Sequence, residues 1–146
     1  MCSSDLVRSG ERFDDEYTLS SQIGRTVVLA FYPGDATPVC TSQLCSYQSE
    51  LDEFIDLGAV VWGVSPQGLE SHEDFARGAS LSFPLLADTA GEVARDYGIR
   101  APGLRLRRSV FLVGPDGIVR WRHVGFVGVR FPKPATIRKH VEALVI

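Results

Sequence analysis

Cysteine is scarce in this chain, with three in 146 residues, and lysine is scarcer, with two against thirteen arginines. Long apolar runs are missing as well. The longest, "TVVLAFY" and "GAVVWGV", are far too short to cross a bilayer, so no membrane span is expected. The opening "MCSSDLVRSGERFDDEY" is polar and carries no apolar core, so no secretory signal is expected either. There is no excess of positive charge. The formal net charge of −3 gives no general pull toward nucleic acid or an anionic membrane. Internal repeats and low-complexity linkers are absent. What is present is ordinary for a soluble domain, 45% hydrophobic and 23% charged, at a length that suits one domain with its own core. The expected compartment is the reducing cytoplasm. Structural disulfides are rare there, so paired cysteines lean toward metal binding or catalysis.

Residues 1–17 read as a polar segment and 18–146 as a single domain. Residues 26–32, "TVVLAFY", form a near-continuous apolar run that predicts a strand buried on both faces. "PGDA" breaks it. From Pro38 to about Leu57 the pattern is helical, with Leu44, Tyr47, Leu51, Phe54 and Ile55 on one apolar stripe, and Gly58 ends it. "AVVWGV" at 59–64 predicts a second buried strand. Residues 68–79 fit a helix, with Leu69, His72 and Phe75 in register. "FPLLAD" reads as a short strand and "AGEVARDYGI" as a short helix. "RRSVFLVGPDGIVRWRHVG" predicts a hairpin about Gly-Pro-Asp-Gly. Residues 134–144 close as a helix with Pro134 near its first turn. This order predicts a three-layer α/β fold, a central mixed sheet flanked by helices in a thioredoxin-like arrangement.

The chemistry turns on "FYPGDATPVCTSQLCS", residues 31–46, where Cys40 and Cys45 stand five apart. Cys2, in the polar tail, reads as a bystander. Zinc needs three or four ligands, commonly in closer pairs, and the histidines at 72, 123 and 140 are scattered. Inert burial suits Cys45, which follows Leu44, better than Cys40 at a helix start. A permanent disulfide is disfavoured, because helical residues five apart have Cα atoms roughly 8–9 Å apart. A disulfide wants them within about 7 Å. The bond needs a helix that never forms or one that unwinds.

Redox chemistry is the reading that local structure supports. Thr37 suits an N-cap and Pro38 the first helical position. Cys40 is then the third residue of the helix, and its N–H has no partner within the helix. The positive end of the helix dipole falls there, and both effects favour thiolate over thiol.

These residues resemble a known family. "PGDATPVC" is similar to the P-x-x-x-T-x-x-C loop of peroxiredoxins, with Pro33, Thr37 and Cys40 in its three defining positions. The Cys40–Cys45 spacing resembles the bacterioferritin comigratory protein, or PrxQ-type, branch. "VVWGVSP", "FPLLADTAGEVARDYGI" and "RRSVFLVGPDGIVR" are also similar to family segments, the last placing Arg108 three residues before Phe111. The likeness covers about residues 20–145. It departs from the family at the N-terminus, where "TLSSQIGRTVVL" matches but the usual Pro-Asp-Phe segment is lacking.

The resemblance implies a thiol-dependent peroxidase. Cys40 would attack hydrogen peroxide or an organic hydroperoxide, and Cys45 would resolve the sulfenic acid as a disulfide. Thioredoxin or glutaredoxin would recycle it, with no cofactor and no metal. Thr37 has two expected roles, capping the helix and bonding the peroxide, and the free N–H of Cys40 would serve the substrate oxygens. Pro33 would shield the thiolate, and Gln43 would orient the arginine or lie exposed. Strand parity puts Arg108 on the face of Val110 and Leu112, where a guanidinium needs an anionic partner; Arg105 and Arg107 would be solvated. A nucleic-acid patch from "RLRR" is the weaker alternative. Attack by a thiolate needs no base, so His72 and His123 read as structural. The enzymatic rival is a thiol–disulfide oxidoreductase, which normally uses C-x-x-C. The non-enzymatic rival is a redox-sensing module using the same disulfide. The expected assembly is a monomer or weak homodimer.

Overall fold

The computed structural model describes residues 2–3, 6–8, 11–13, 17–18, 24–35, 37–101, 105–125 and 131–144. Of the readings above, the side chains of Cys2 and Arg105 and residues 19–23 of "TLSSQIGRTVVL" lie outside the described residues.

The centre of the molecule is strand β5 (Thr26–Phe31), every residue of which is buried. A run of valine, leucine, alanine and phenylalanine suits a strand covered on both sides. It pairs in parallel with β6 (Ala59–Ser65), which pairs in parallel with β7 (Leu85–Ala87). On its other side β5 pairs antiparallel with β10 (Ser109–Val113), which forms a hairpin with β11 (Val119–Val124). The Gly-Pro-Asp-Gly turn closes this hairpin, with Gly117 at φ +82°. Two short N-terminal strands, β2 (Leu6–Arg8) and β3 (Glu11–Phe13), extend the far edge. The sheet order is β11-β10-β5-β6-β7-β2-β3. Two small ribbons stand apart: β1 (Cys2–Ser3) with β4 (Tyr17–Thr18), and β8 (Arg100–Ala101) with β9 (Arg105–Leu106).

Strand parity divides the core in two. Val28, Ala30, Val61, Val110 and Leu112 point to one face. There they meet α1 (Pro38–Ser49), α2 (Leu51–Asp56), α3 (Leu69–Ala79) and α5 (Pro134–Leu144). Val27, Leu29, Phe31, Trp62, Phe111 and Val113 point to the other, against α4 (Glu92–Asp96) and Ile99. This is the expected thioredoxin-like three-layer arrangement.

One expected helix is two. The helix expected over 38–57 breaks at Glu50, whose backbone leaves helical geometry at φ −106°, ψ 11°. The break turns the second segment so that Phe54 is buried while Ile55, expected on the apolar stripe, is 54% exposed. Gly58 follows with φ +76°, a left-handed conformation that glycine adopts without a side-chain clash. Among the described residues, no helix is long and apolar enough to cross a membrane.

Candidate active site

The site forms where β5 ends and β10 begins. Phe31 pairs with Ser109, so the chain leaving β5 toward α1 passes directly beside Arg108. It lies at the carboxyl ends of the parallel strands β5 and β6, a usual place for chemistry in open α/β sheets. The loop runs from Tyr32 to Thr37, and Thr37 caps α1 with extended φ −77°, ψ 150°.

Cys40 is the third residue of α1 and fully buried. Its N–H is not free, as expected above, but donates to the Thr37 hydroxyl at 3.4 Å, while that hydroxyl donates to the Gly34 carbonyl at 3.3 Å. The cap therefore uses the amide that the sequence left for substrate. Both contacts are long, and the Thr37 side chain stands at an exposed position of the loop. Pro33 is exposed on the same loop.

Arg108 is the residue just before β10, held there by Gly125 N–H donating to its carbonyl at 2.9 Å. It is only 3% exposed. Its Nη2 donates to Cys40 Sγ at 3.1 Å and its Nη1 to Gln43 Oε1 at 2.5 Å. Gln43 Nε2 donates to the Tyr47 hydroxyl at 3.2 Å, which donates to the Pro132 carbonyl at 2.7 Å. The donors thus run in one direction from Arg108 to Pro132, with a second branch onto the sulfur. Cys40, Gln43, Leu44 and Tyr47 share one helix face by their spacing of three, four and seven, and all four are buried. Gln43 is therefore the arginine's partner and not an exposed residue. A buried guanidinium that donates to this sulfur would stabilise negative charge developing there. Burial pushes the Tyr47 hydroxyl well above the ordinary tyrosine range, outweighing the opposite pull of Gln43 and Arg108, so it stays a donor at Pro132.

Cys45 is half-buried and Cys40 buried, so full burial falls on the cysteine that it suited less well by sequence. Its sulfur lies 4.0 Å from the Ala79 carbonyl at the end of α3. Helix α1 is continuous from Cys40 to Cys45, and both thiols are free. Arg107 is half-buried rather than solvated, with its N–H donating to the Ile99 carbonyl at 2.7 Å.

Sequence reasoning passed over two side chains near the site. By sequence Tyr47 is only a core residue, although its spacing from Gln43 is visible there. Asp35, inside the motif loop, was read only as a strand breaker; it accepts hydrogen bonds from Tyr32 and Ser71 and contacts His72.

Fold and site together define a class: a thioredoxin-like α/β protein with a buried cysteine at a helix start, under an arginine. The chain belongs to the AhpC/TSA family, which it matches over residues 8–122. It is 36% identical over 131 residues to peroxiredoxin Bcp of Bacillus subtilis, covering 82% of each chain. It is 35% identical over 106 residues to the putative chloroplastic peroxiredoxin Q of Oryza sativa subsp. indica, 71% of this chain and 49% of the rice protein. The chain thus spans about half the length of such plant relatives. A solved structure of Xanthomonas campestris peroxiredoxin Q superposes with a TM-score of 0.78 at 30% identity, covering 97% of this chain and 88% of that one.

Proposed function

We propose that this chain is a thiol-dependent peroxidase acting through Cys40. The observation that carries the reading is the Arg108 guanidinium, buried and 3.1 Å from the Cys40 sulfur. A cation held there stabilises the thiolate before attack and the departing oxygen after it, without reorganising at the moment of reaction. Thr37 and Pro33 lie on the exposed loop, the side from which a small peroxide would come.

In the first step a sulfur–oxygen bond forms and the peroxide oxygen–oxygen bond breaks. The leaving oxygen takes a proton and departs as water or alcohol, and Cys40 becomes a sulfenic acid. In the second step the Cys45 thiolate attacks that sulfur, displacing hydroxide, which leaves as water, and a disulfide forms. Residues five apart on an intact helix hold their Cα atoms too far apart for this, so α1 must unwind between them. An external dithiol, of the thioredoxin or glutaredoxin kind, then reduces the disulfide by exchange. Such recycling requires a reducing compartment, as the cytoplasm is.

The test is peroxide consumption by wild type, Cys40→Ser and Cys45→Ser with a thioredoxin system. Cys40→Ser should be inactive. Cys45→Ser should reduce one equivalent of peroxide and then stall unless a monothiol is added. Full turnover by Cys40→Ser would rule out the assignment of the attacking sulfur.

A further inference from the structure

The loop that carries Thr37 to Cys40 is tied down by a buried cluster that the reaction scheme does not use. Asp35 lies at its centre. Its Oδ1 accepts from the Tyr32 hydroxyl at 2.6 Å, and its Oδ2 accepts from the Ser71 hydroxyl at 2.7 Å. The same oxygen is 2.6 Å from His72 Nδ1, with the His72 and Asp35 side chains 0% and 2% exposed. His72 Nε2 lies 3.2 Å from the Leu86 carbonyl. One carboxylate thus joins the end of β5, the first turn of α3 and, through His72, strand β7.

We propose that Asp35 and His72 are positioning residues for the peroxide step: their cluster with Tyr32 and Ser71 sets the loop from which Thr37 meets Cys40. The proposal rests on Cys40 being the attacking sulfur. Two features support it. Asp35 is two residues before Thr37, whose carbonyl is held by the Thr41 N–H at 2.8 Å but whose hydroxyl contacts are the long ones of 3.3 and 3.4 Å; the side-chain contacts at Asp35 are short. The cluster is also continuous: the short contact at His72 Nδ1 joins the ring to Asp35, and Nε2 on its far side meets the Leu86 carbonyl, so the loop is braced against β7. The Tyr32 hydroxyl reports how close Asp35 and Cys40 are. It is held well above the ordinary tyrosine range by burial, then by Asp35, and also by Cys40.

Asp35→Ala removes all three contacts. Asp35→Asn keeps the shape: its oxygen can accept from Tyr32 while its amide can donate to His72 Nδ1. The readouts are two rates followed by tryptophan fluorescence: reduced protein mixed with hydrogen peroxide, and oxidised protein mixed with dithiothreitol. Asp35→Ala should slow the peroxide step by roughly ten- to a hundredfold, the scale of a small misplacement at a reacting centre. Its dithiothreitol step should stay within about twofold of wild type, and Asp35→Asn should recover most of the lost peroxide rate, because the bonds and not the charge do the positioning. A folded Asp35→Ala with the wild-type peroxide rate would overturn the proposal. So would equal slowing of both steps, or an Asn variant no faster than Ala. Should Asp35→Ala not fold, Ser71→Ala decides: a loss of about two- to fivefold confined to the peroxide step supports the proposal, and no loss overturns it. A wild-type protein no faster with peroxide than Cys40→Ser would instead sink the peroxidase reading.

Discussion

The two cysteines of α1 sit on faces of one helix that are held in different ways. The Cys40 face is locked. Gln43, Leu44 and Tyr47 stand beside it, all buried, and the Arg108–Gln43–Tyr47–Pro132 relay ties the helix to β10 and to the segment before α5. The Cys45 face is lightly held. Cys45 makes one long contact with Ala79, and Gln48 holds Ser82 through two bonds of 2.8 Å at an exposed position. The helix itself adds little. Of its twelve residues, "PVCTSQLCSYQS", only Gln43, Leu44 and Gln48 are strong helix formers. The break at Glu50 also separates α1 from α2, so α1 can unwind without drawing Phe54 out of the core. On the proposed scheme the contrast is a division of labour: the face that would stay still for attack is packed, and the face that would move for resolution is not.

The sharpest way to break the comparison is at Arg108. Lysine keeps the charge but not the fork that reaches both Cys40 and Gln43. Arg108→Lys should lower the peroxide rate on the order of a hundredfold, the scale seen when one stabilising donor is removed, measured by stopped-flow under single turnover. A rate within a few fold of wild type would mean the guanidinium is only structural. Tyr47→Phe comes next. It leaves the Pro132 carbonyl and one Gln43 donor buried without this partner, which costs about 1–3 kcal/mol of stability. Denaturant unfolding would measure that. The peroxide rate should fall by less than about tenfold, since the bond from Arg108 to the sulfur is kept. Unchanged stability would show that the relay is not what locks this face.

Much of this arrangement was legible in the chain, and the limits are physical. The apolar runs of β5 and β6 announced buried strands because both faces are covered. Thr37 and Pro38 announced the start of α1 because capping is local chemistry. Strand parity put Arg108 on the face of Val110 and Leu112, where Cys40 also lies, although the strand begins one residue later than the arginine. What stayed hidden depends on tertiary contacts. The apolar stripe over 44–55 gave no sign of the break at Glu50, whose side chain meets Arg138 from α5. Local pattern could not say that Cys40 would be the buried cysteine, because that follows from tertiary packing beside Arg108. Asp35 and His72 are 37 residues apart, and nothing in the spacing joins a loop aspartate to a helix histidine.

The smallest expected effect tests the lightly held face. Gln48 bonds Ser82 with both ends of its amide, accepting from the Ser82 N–H and donating to its hydroxyl. These contacts clamp the last turn of α1 to the segment after α3, just beyond Ser80, which itself has φ +54°. Gln48→Ala removes the clamp at an exposed site, so the loss of stability should be no more than about 1 kcal/mol. Its kinetic effect should have the opposite sign to that of Arg108→Lys. With the clamp gone, α1 unwinds more readily, and disulfide formation after peroxide attack should speed up by about two- to fivefold. The attack itself, set on the other face, should not change. Rapid mixing with one equivalent of peroxide separates the two phases, and amide exchange over residues 42–49 should quicken in the reduced protein. If the variant forms its disulfide no faster, resolution is not limited by loosening this face, and the division of labour between the two cysteines must be drawn elsewhere.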